Sequence, residues 1–391
     1  MPLYPHALAT NVVLAAMVLF ACTSNVVFAS LLRVSETFGV SPERFAAVAS
    51  VQFSGFFLAC LFGGVLSDRL GKKTVFLAGC ALTALGGAGW ALAPSIPVIY
   101  LGAITLGMGG GILEGTGAAI LTDLHPNHSK LAMNISQAAY CVGAIGTPVI
   151  MGWLLPLGVS WRWFFGVMSL SALLLGLISS ALKLPPSCQG SRQHGNWSRI
   201  RSVLPSIAIP SICIFLYVFS EMGIATFLNV YLRNTLQAPE NMAIFALGAF
   251  WTAVIIGRII RAFIPQDQAY ELVIAPLLFC ASLCVLGQIF ISTWQLSFAL
   301  FFVLGLSFAG TWPLIVSMAS SRNLADSGTA AGITIAIGSL GCIFNPLVLG
   351  PLLDRGQSRL VFILLSFLLF LASALMFFSL LLHRSRQKTE A

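Results

Sequence analysis

Apolar runs of twenty or more residues recur along the whole chain, and charge rarely interrupts them. The first, about 8–32, holds no Asp, Glu, Lys or Arg. A helix of about 20 apolar residues crosses the hydrocarbon core of a bilayer. Helices also satisfy their own backbone polar groups, which lipid cannot do. Reading on in this way predicts twelve spans, at about 8–32, 43–66, 74–93, 96–121, 131–155, 161–183, 203–232, 240–263, 270–291, 294–320, 328–353 and 358–382. The first run is too long for a signal-peptide core and comes after no basic leader, so it reads as a retained span. Of 391 residues, 58% are apolar and 8% charged, against about 25% charged in a soluble domain. These values exclude a soluble enzyme, a disordered chain and a nucleic-acid-binding domain. The expected fold class is therefore an all-α membrane protein with twelve transmembrane helices.

One long polar stretch, 184–201, divides the runs six and six. It predicts an N-terminal six-helix bundle over 1–183, a cytoplasmic linker over 184–201 and a C-terminal six-helix bundle with a short tail over 202–391. With the N-terminus inside, fourteen of the twenty Lys and Arg fall on the cytoplasmic side. Six fall outside: Arg33, Arg44, Arg162, Arg233, Arg355 and Arg359. That asymmetry predicts a multi-pass protein of the plasma or inner membrane with both termini cytoplasmic, and it explains the net charge of +8 without a nucleic-acid partner. All cysteines but Cys188 fall inside apolar runs, as buried packing residues rather than a disulfide frame or a metal site. No phosphate-binding glycine loop is present, so nothing points to ATP hydrolysis or another cofactor.

The halves repeat each other. The stretch 24–32, which opens Ser24-Asn25, resembles the stretch 220–228, which opens Ser220-Glu221. Thr147-Pro148 resembles Asn345-Pro346, and glycine-rich 107–111 corresponds to Gly305 and Gly310. The offset is a steady 196–198 residues, as duplication of a six-helix unit leaves. Repeats of this kind place a solute site near the bilayer midplane and transport by rocking. The expected architecture is two pseudo-symmetric bundles.

Between the second and third spans stands Gly64-Val-Leu-Ser-Asp68-Arg69-Leu-Gly71-Lys72-Lys73. It resembles the signature loop of the major facilitator superfamily at every defined position, and with twelve spans the resemblance covers the whole chain. It implies gating roles for Gly64, Asp68, Arg69, Gly71 and Lys72. Asp123, at the end of the fourth span, is a candidate partner in that network. The matching region of the second half, around Gly257, Arg258 and Arg261, has no acid, so a one-sided latch is expected. A narrower resemblance is to the fucose–proton symporters and their sodium-dependent glucose transporter relatives. It rests on Asn134, Gln137, Tyr140 and Gly143 in the fifth span, Glu221 and Tyr231 in the seventh, Phe250-Trp251, and Trp312-Pro313. Those symporters carry an acid near where this chain has Asn25, so their two-carboxylate coupling does not transfer whole.

An acid inside a span is costly and marks function. Glu114 and Glu221 are the two, and both are expected to couple a cation. Glu271, near a span end, is expected to be wet. The five histidines lie outside the predicted spans, which leaves coupling to carboxylates. Sugar hydroxyls pair with Asn, Gln and Glu, and aromatic faces cover the ring. The resemblance singles out spans one, four, five, seven, ten and eleven as cavity-lining. This selects Asn25, Gln137, Tyr140, Glu221, Trp312 and Asn345 for the solute. The expected function is a monomeric secondary active transporter, coupling a sugar or similar small polar solute to a proton or sodium ion within the lipid bilayer. The alternatives are a drug or metabolite efflux antiporter and a transport-inactive sensor of the same fold.

Overall fold

The structure, a computed structural model, describes residues 7–125, 129–182, 197–262, 269–323 and 327–390. Every long element is helical, and no strand occurs among the described residues. In order they are α1 (Ala7–Phe38), a short α2 (Pro42–Phe45), α3 (Ala47–Leu70), α4 (Lys72–Ala91), α5 (Ile96–Leu124), α6 (Ser129–Leu154) and α7 (Trp161–Ala181). Then come α8 (Trp197–Val230), α9 (Glu240–Ala262), α10 (Tyr270–Gly287), α11 (Trp294–Phe308), α12 (Thr311–Ser321), α13 (Ser327–Asp354) and α14 (Ser358–Glu390). Eleven segments among the described residues are long and apolar enough to cross a membrane. To these α3 adds a further helix of 24 residues.

The helix starts reflect local chemistry. Ser160 precedes α7, and its hydroxyl accepts from Arg162 N, answering one of the backbone donors that a first turn leaves open. Pro42 opens α2, and α5 has a proline in its first turn, where its missing N–H costs nothing. Gly71 separates α3 from α4 at φ +87°, a value that glycine adopts without strain. A single residue therefore joins the two helices.

The chain forms two compact units. The first comprises residues 1–191 with Pro239–Gly248, and the second comprises 192–238 with 249–391. In the first, α3 and α4 pack on α5, α1 packs on α6, and α4 on α7. In the second, α8 packs on α13 and α10 on α14. Lipid supplies no hydrophobic drive between helices, so close backbone approach must hold them. A Cβ on Gly107 would stand 1.8 Å from the Gln52 carbonyl oxygen, and one on Gly143 2.4 Å from that of Val18. The second unit repeats both contacts 198 residues later: Gly305 lies against Phe250 O and Gly341 against Phe219 N, each at 2.6 Å from the built Cβ. The duplication legible in the sequence is thus a duplication of packing.

Two features differ from the sequence reading. The expected tenth span, 294–320, is two helices rather than one: α11 ends at Phe308, and Gly310 takes φ +79° before α12. Its counterpart in the first unit, α5, runs unbroken for 29 residues. The first turns of α9, expected in the C-terminal bundle, group with the first unit. The reason is local packing. Arg33 holds Glu240 at 2.5 Å, the Phe245 ring lies 5.9 Å from that of Trp153, and Gly248 sits against Val149.

Candidate functional site

Side-chain bonds define the two ends of the first unit. Thr10 Oγ1 lies 2.8 Å from His125 Nε2, and Lys73 Nζ donates to the Ser180 and Leu182 carbonyls. The beginnings of α1 and α4 therefore share one end with the finishes of α5 and α7. At the other end Trp161 Nε1 donates to Thr37 Oγ1 at 3.0 Å. His125, read from sequence as a loop residue, is buried.

At the first of these ends Lys72 donates to Asp123 in a partly buried ion pair. Two of the expected gating residues are thus brought together. The side chains of Asp68 and Arg69, and the surroundings of Gly64, lie outside the described residues. The second unit holds the matching pair. Arg322, just after α12, donates to Glu271 in the first turn of α10 and to Ser379 of α14. Each partner lies 199 residues beyond its counterpart (72 to 271, 123 to 322), and both pairs span 51 residues. The polarity is reversed. The expected one-sided latch is therefore corrected, because the acid was sought near Arg258 and stands instead on the next helix. Glu271 is not wet: it is 3% exposed.

Inside the first unit, Asn25 is buried. Its Nδ2 donates to the Ala21 carbonyl at 3.0 Å, and its Oδ1 has no partner among the described residues. An orphan amide oxygen is costly in an apolar interior, and a solute hydroxyl would satisfy it. Gln137 and Tyr140 stand one turn apart on α6, both partly buried. The Tyr140 ring lies 5.5 Å from Phe20, which stacks on Phe56 at 5.6 Å. Gly110 makes room for Phe20, and Glu114 comes one turn later. Glu114 makes no ion pair or hydrogen bond among the described residues, and the thiol of Cys60 is its electrostatic neighbour.

In the second unit the geometry is tighter. Glu221, on α8, is buried. One turn earlier, Tyr217 donates its hydroxyl to Glu221 Oε1 at 2.5 Å, and the phenol oxygen also lies 3.4 Å from the Phe308 carbonyl. That carbonyl is one of those left open where α11 breaks. Arg258, on α9, is within electrostatic reach of both Tyr217 and Glu221. Cys342, on α13, is a neighbour of Glu221 too. Asn345, one turn along α13, is fully buried. Its Nδ2 donates to the Gly341 and Cys342 carbonyls, and its Oδ1, near Gly223, has no hydrogen-bond partner among the described residues. Trp312 is partly buried at the start of α12. Beside it Thr311 Oγ1 is buried without a partner, as is Trp251 Nε1.

The second unit therefore joins a carboxyl group, a phenol and a guanidinium to a helix break that frees backbone carbonyls. Chemically, such a cluster can hold a proton and offer hydrogen-bonding groups to a polar solute. Sequence reasoning missed Tyr217 and Arg258. The signal for Arg258 was its place inside the expected 240–263 span. Tyr217 could have been found one helical turn from Glu221.

Comparison with known proteins places this geometry in context. The profile of the Major Facilitator Superfamily matches residues 12–323. YwtG of Bacillus subtilis (strain 168), named for metabolite transport, is 27% identical over 190 residues, covering 48% of this chain and 41% of that protein. A multidrug resistance protein B homolog of Mycobacterium tuberculosis (strain H37Rv) is 26% identical over 167 residues, 41% of this chain and 31% of that one. The chain thus spans less than half the length of these two relatives. A TsgA homolog of Buchnera aphidicola is 20% identical over 74% of both chains. Among solved structures, a D-xylose-proton symporter superposes with TM-score 0.73 at 16% identity, covering 94% of this chain and 96% of that chain. The nucleoside transporter NupG superposes with TM-score 0.78 at 16% identity, covering 95% and 100%. At such identities the likeness speaks for the fold.

Proposed function

Because the chain belongs to the major facilitator superfamily, and is a transporter rather than an enzyme, we propose that it moves a sugar-like polar solute together with a proton or a sodium ion by alternating access. The observation that carries this reading is Glu221, buried in a span, hydrogen-bonded by Tyr217 and close to Arg258 at the break between α11 and α12. A carboxyl group in that setting costs too much to keep for packing alone. Glu114 supplies a second carboxylate free to exchange a proton. Asn25, Gln137, Tyr140, Trp312 and Asn345 offer amide, phenol and indole groups that suit a hydroxylated ring. Lys72 and Asp123 pair at the gating end beside Gly71, and Asp68, Arg69 and Gly64, on the last turns of α3, belong to the same signature. In this reading the two six-helix bundles are the moving parts of a monomer in the plasma membrane, with both termini cytoplasmic.

A second reading, efflux of drugs or metabolites, has support from the relative named for multidrug resistance. The test is transport by purified protein in proteoliposomes. An imposed proton or sodium gradient should drive accumulation of a labelled monosaccharide or nucleoside. Gradient-driven exchange of a lipophilic cation, with no polar solute accumulated, would replace the symport reading with efflux.

A further inference from the structure

The first unit carries an open, half-polar cavity at the end of the bundle opposite Lys72 and Asp123. Its volume is about 380 Å³, and Arg33, Glu36 and Thr37 of α1 line it with Ser160, Trp161 and Arg162 at the start of α7. None of these residues serves the transport site described above. Their charges are unevenly paired. Arg33 gives Nε and Nη2 to the two oxygens of Glu240, both at 2.5 Å. Glu36 is left 3.6 Å from Arg33, with its side chain 66% exposed. Arg162 meets no carboxylate among the described residues. Its Nη1 donates to the Ala91 carbonyl at 3.0 Å, and its guanidinium carbon lies 4.6 Å above the Trp161 ring. That ring is itself fixed by its bond to Thr37. The cavity thus presents one oriented cation without a counter-charge and one loosely held anion, the complement of a zwitterion.

The residues next to the lining in sequence show which zwitterion is at hand. Trp153, Leu157 and Trp163, close in the chain to the lining residues Leu155, Gly158 and Arg162, are 67%, 77% and 71% exposed. Exposed tryptophans collect where lipid headgroups meet acyl chains, and an exposed leucine beside them belongs in the same layer. Exposed residues of that kind beside the cavity point to a lipid headgroup as its occupant.

We propose that this cavity binds the phosphoethanolamine headgroup of a membrane phospholipid, with the phosphate on Arg162 and the ammonium on Glu36. A guanidinium matches phosphate oxygens with paired N–H donors. An ammonium offers three N–H donors to Glu36. A choline headgroup has none, and a glycerol headgroup has no cation.

Full-length protein in detergent, titrated with phosphatidylethanolamine, phosphatidylcholine and phosphatidylglycerol of identical acyl chains, tests this by native mass spectrometry. Wild type should bind the ethanolamine lipid about tenfold more tightly than the other two, the worth of one charged hydrogen bond. Glu36→Gln, at an exposed position that does not threaten folding, should erase the preference over phosphatidylglycerol and leave binding of that lipid unchanged. Arg162→Ala should weaken both about tenfold; Arg162→Lys, which keeps the charge, should recover part of the loss. Equal binding of all three lipids by wild type, or an undiminished preference in Glu36→Gln, would overturn the proposal. So would free phosphoethanolamine binding as tightly as the lipid, which would make the cavity a site for a soluble solute.

Discussion

Glu271→Gln removes the negative charge that Arg322 faces at the end of the second unit. The side chain of Glu271 is 4% exposed and that of Arg322 is 24% exposed. Breaking a fully buried pair by deleting one partner costs about 3–5 kcal/mol. Arg322 keeps some access to water and its bond to Ser379 at 2.9 Å, which brings the expected cost to about 2–3 kcal/mol. The first unit supplies a sharper version of the experiment, since it shows the same pair with polarity exchanged. Glu271→Arg alone and Arg322→Glu alone each set like charges against one another and should destabilise more than the neutral variant. The double reversal recreates the arrangement of Lys72 and Asp123 and should regain most of the loss. The measurement is a double-mutant cycle on unfolding of the purified protein in mixed micelles. The expected coupling energy exceeds about 1 kcal/mol. Additivity within about 0.5 kcal/mol would show that the two side chains do not stabilise each other, and the argument from duplicated pairs would fail.

Other outcomes are expected elsewhere. Glu114→Gln should abolish gradient-driven accumulation in proteoliposomes while leaving solute binding intact; accumulation at wild-type level would remove Glu114 from coupling. Glu221→Gln and Tyr217→Phe should each weaken solute binding by about 1–3 kcal/mol, the worth of a hydrogen bond to a charged group, as read by calorimetry across pH and sodium concentration. An unchanged affinity surface in both would make the pair structural. Gly305→Val should destabilise by about 1–3 kcal/mol or more, because its Cβ would collide with the Phe250 carbonyl in a packed interface. Gly115→Ala, where a Cβ meets nothing within 4 Å, should melt within a degree or two of wild type.

The spans were legible because a bilayer imposes one pattern, length without charge, on every crossing helix. The duplication was legible because glycines that permit close approach stayed in register, as Gly107 and Gly305 did. The break at Gly310 was harder to see. No charge interrupts Phe308-Ala-Gly-Thr-Trp-Pro313, so the apolar run reads as one span although the backbone separates α11 from α12. The Glu271–Arg322 pair was missed because 51 residues separate its partners, and no helical period links them. Arg258 was counted as an orientation charge, although it lay inside a predicted span. Its role depends on proximity to Glu221, which is a property of the fold. Asn25 and Asn345 could be singled out as polar groups among apolar ones, yet only the packed structure shows that each leaves an amide oxygen without a partner.

The repeated glycine contacts also say where each unit is able to bend. Where backbone atoms rest against the place a side chain would occupy, two helices touch backbone to backbone over a closely fitted contact. The pairs α1 with α6, α3 with α5, α8 with α13 and α9 with α11 are therefore girders, and whatever they carry is carried whole. In the second unit the line of α11 and α12 is jointed at two residues, Ala309 and Gly310, with one end of α12 pinned by the ion pair of Arg322. A beam pinned at its end and jointed at its middle has one soft coordinate, a change of angle at the joint. The first unit, with α5 continuous, has no such joint at the matching place.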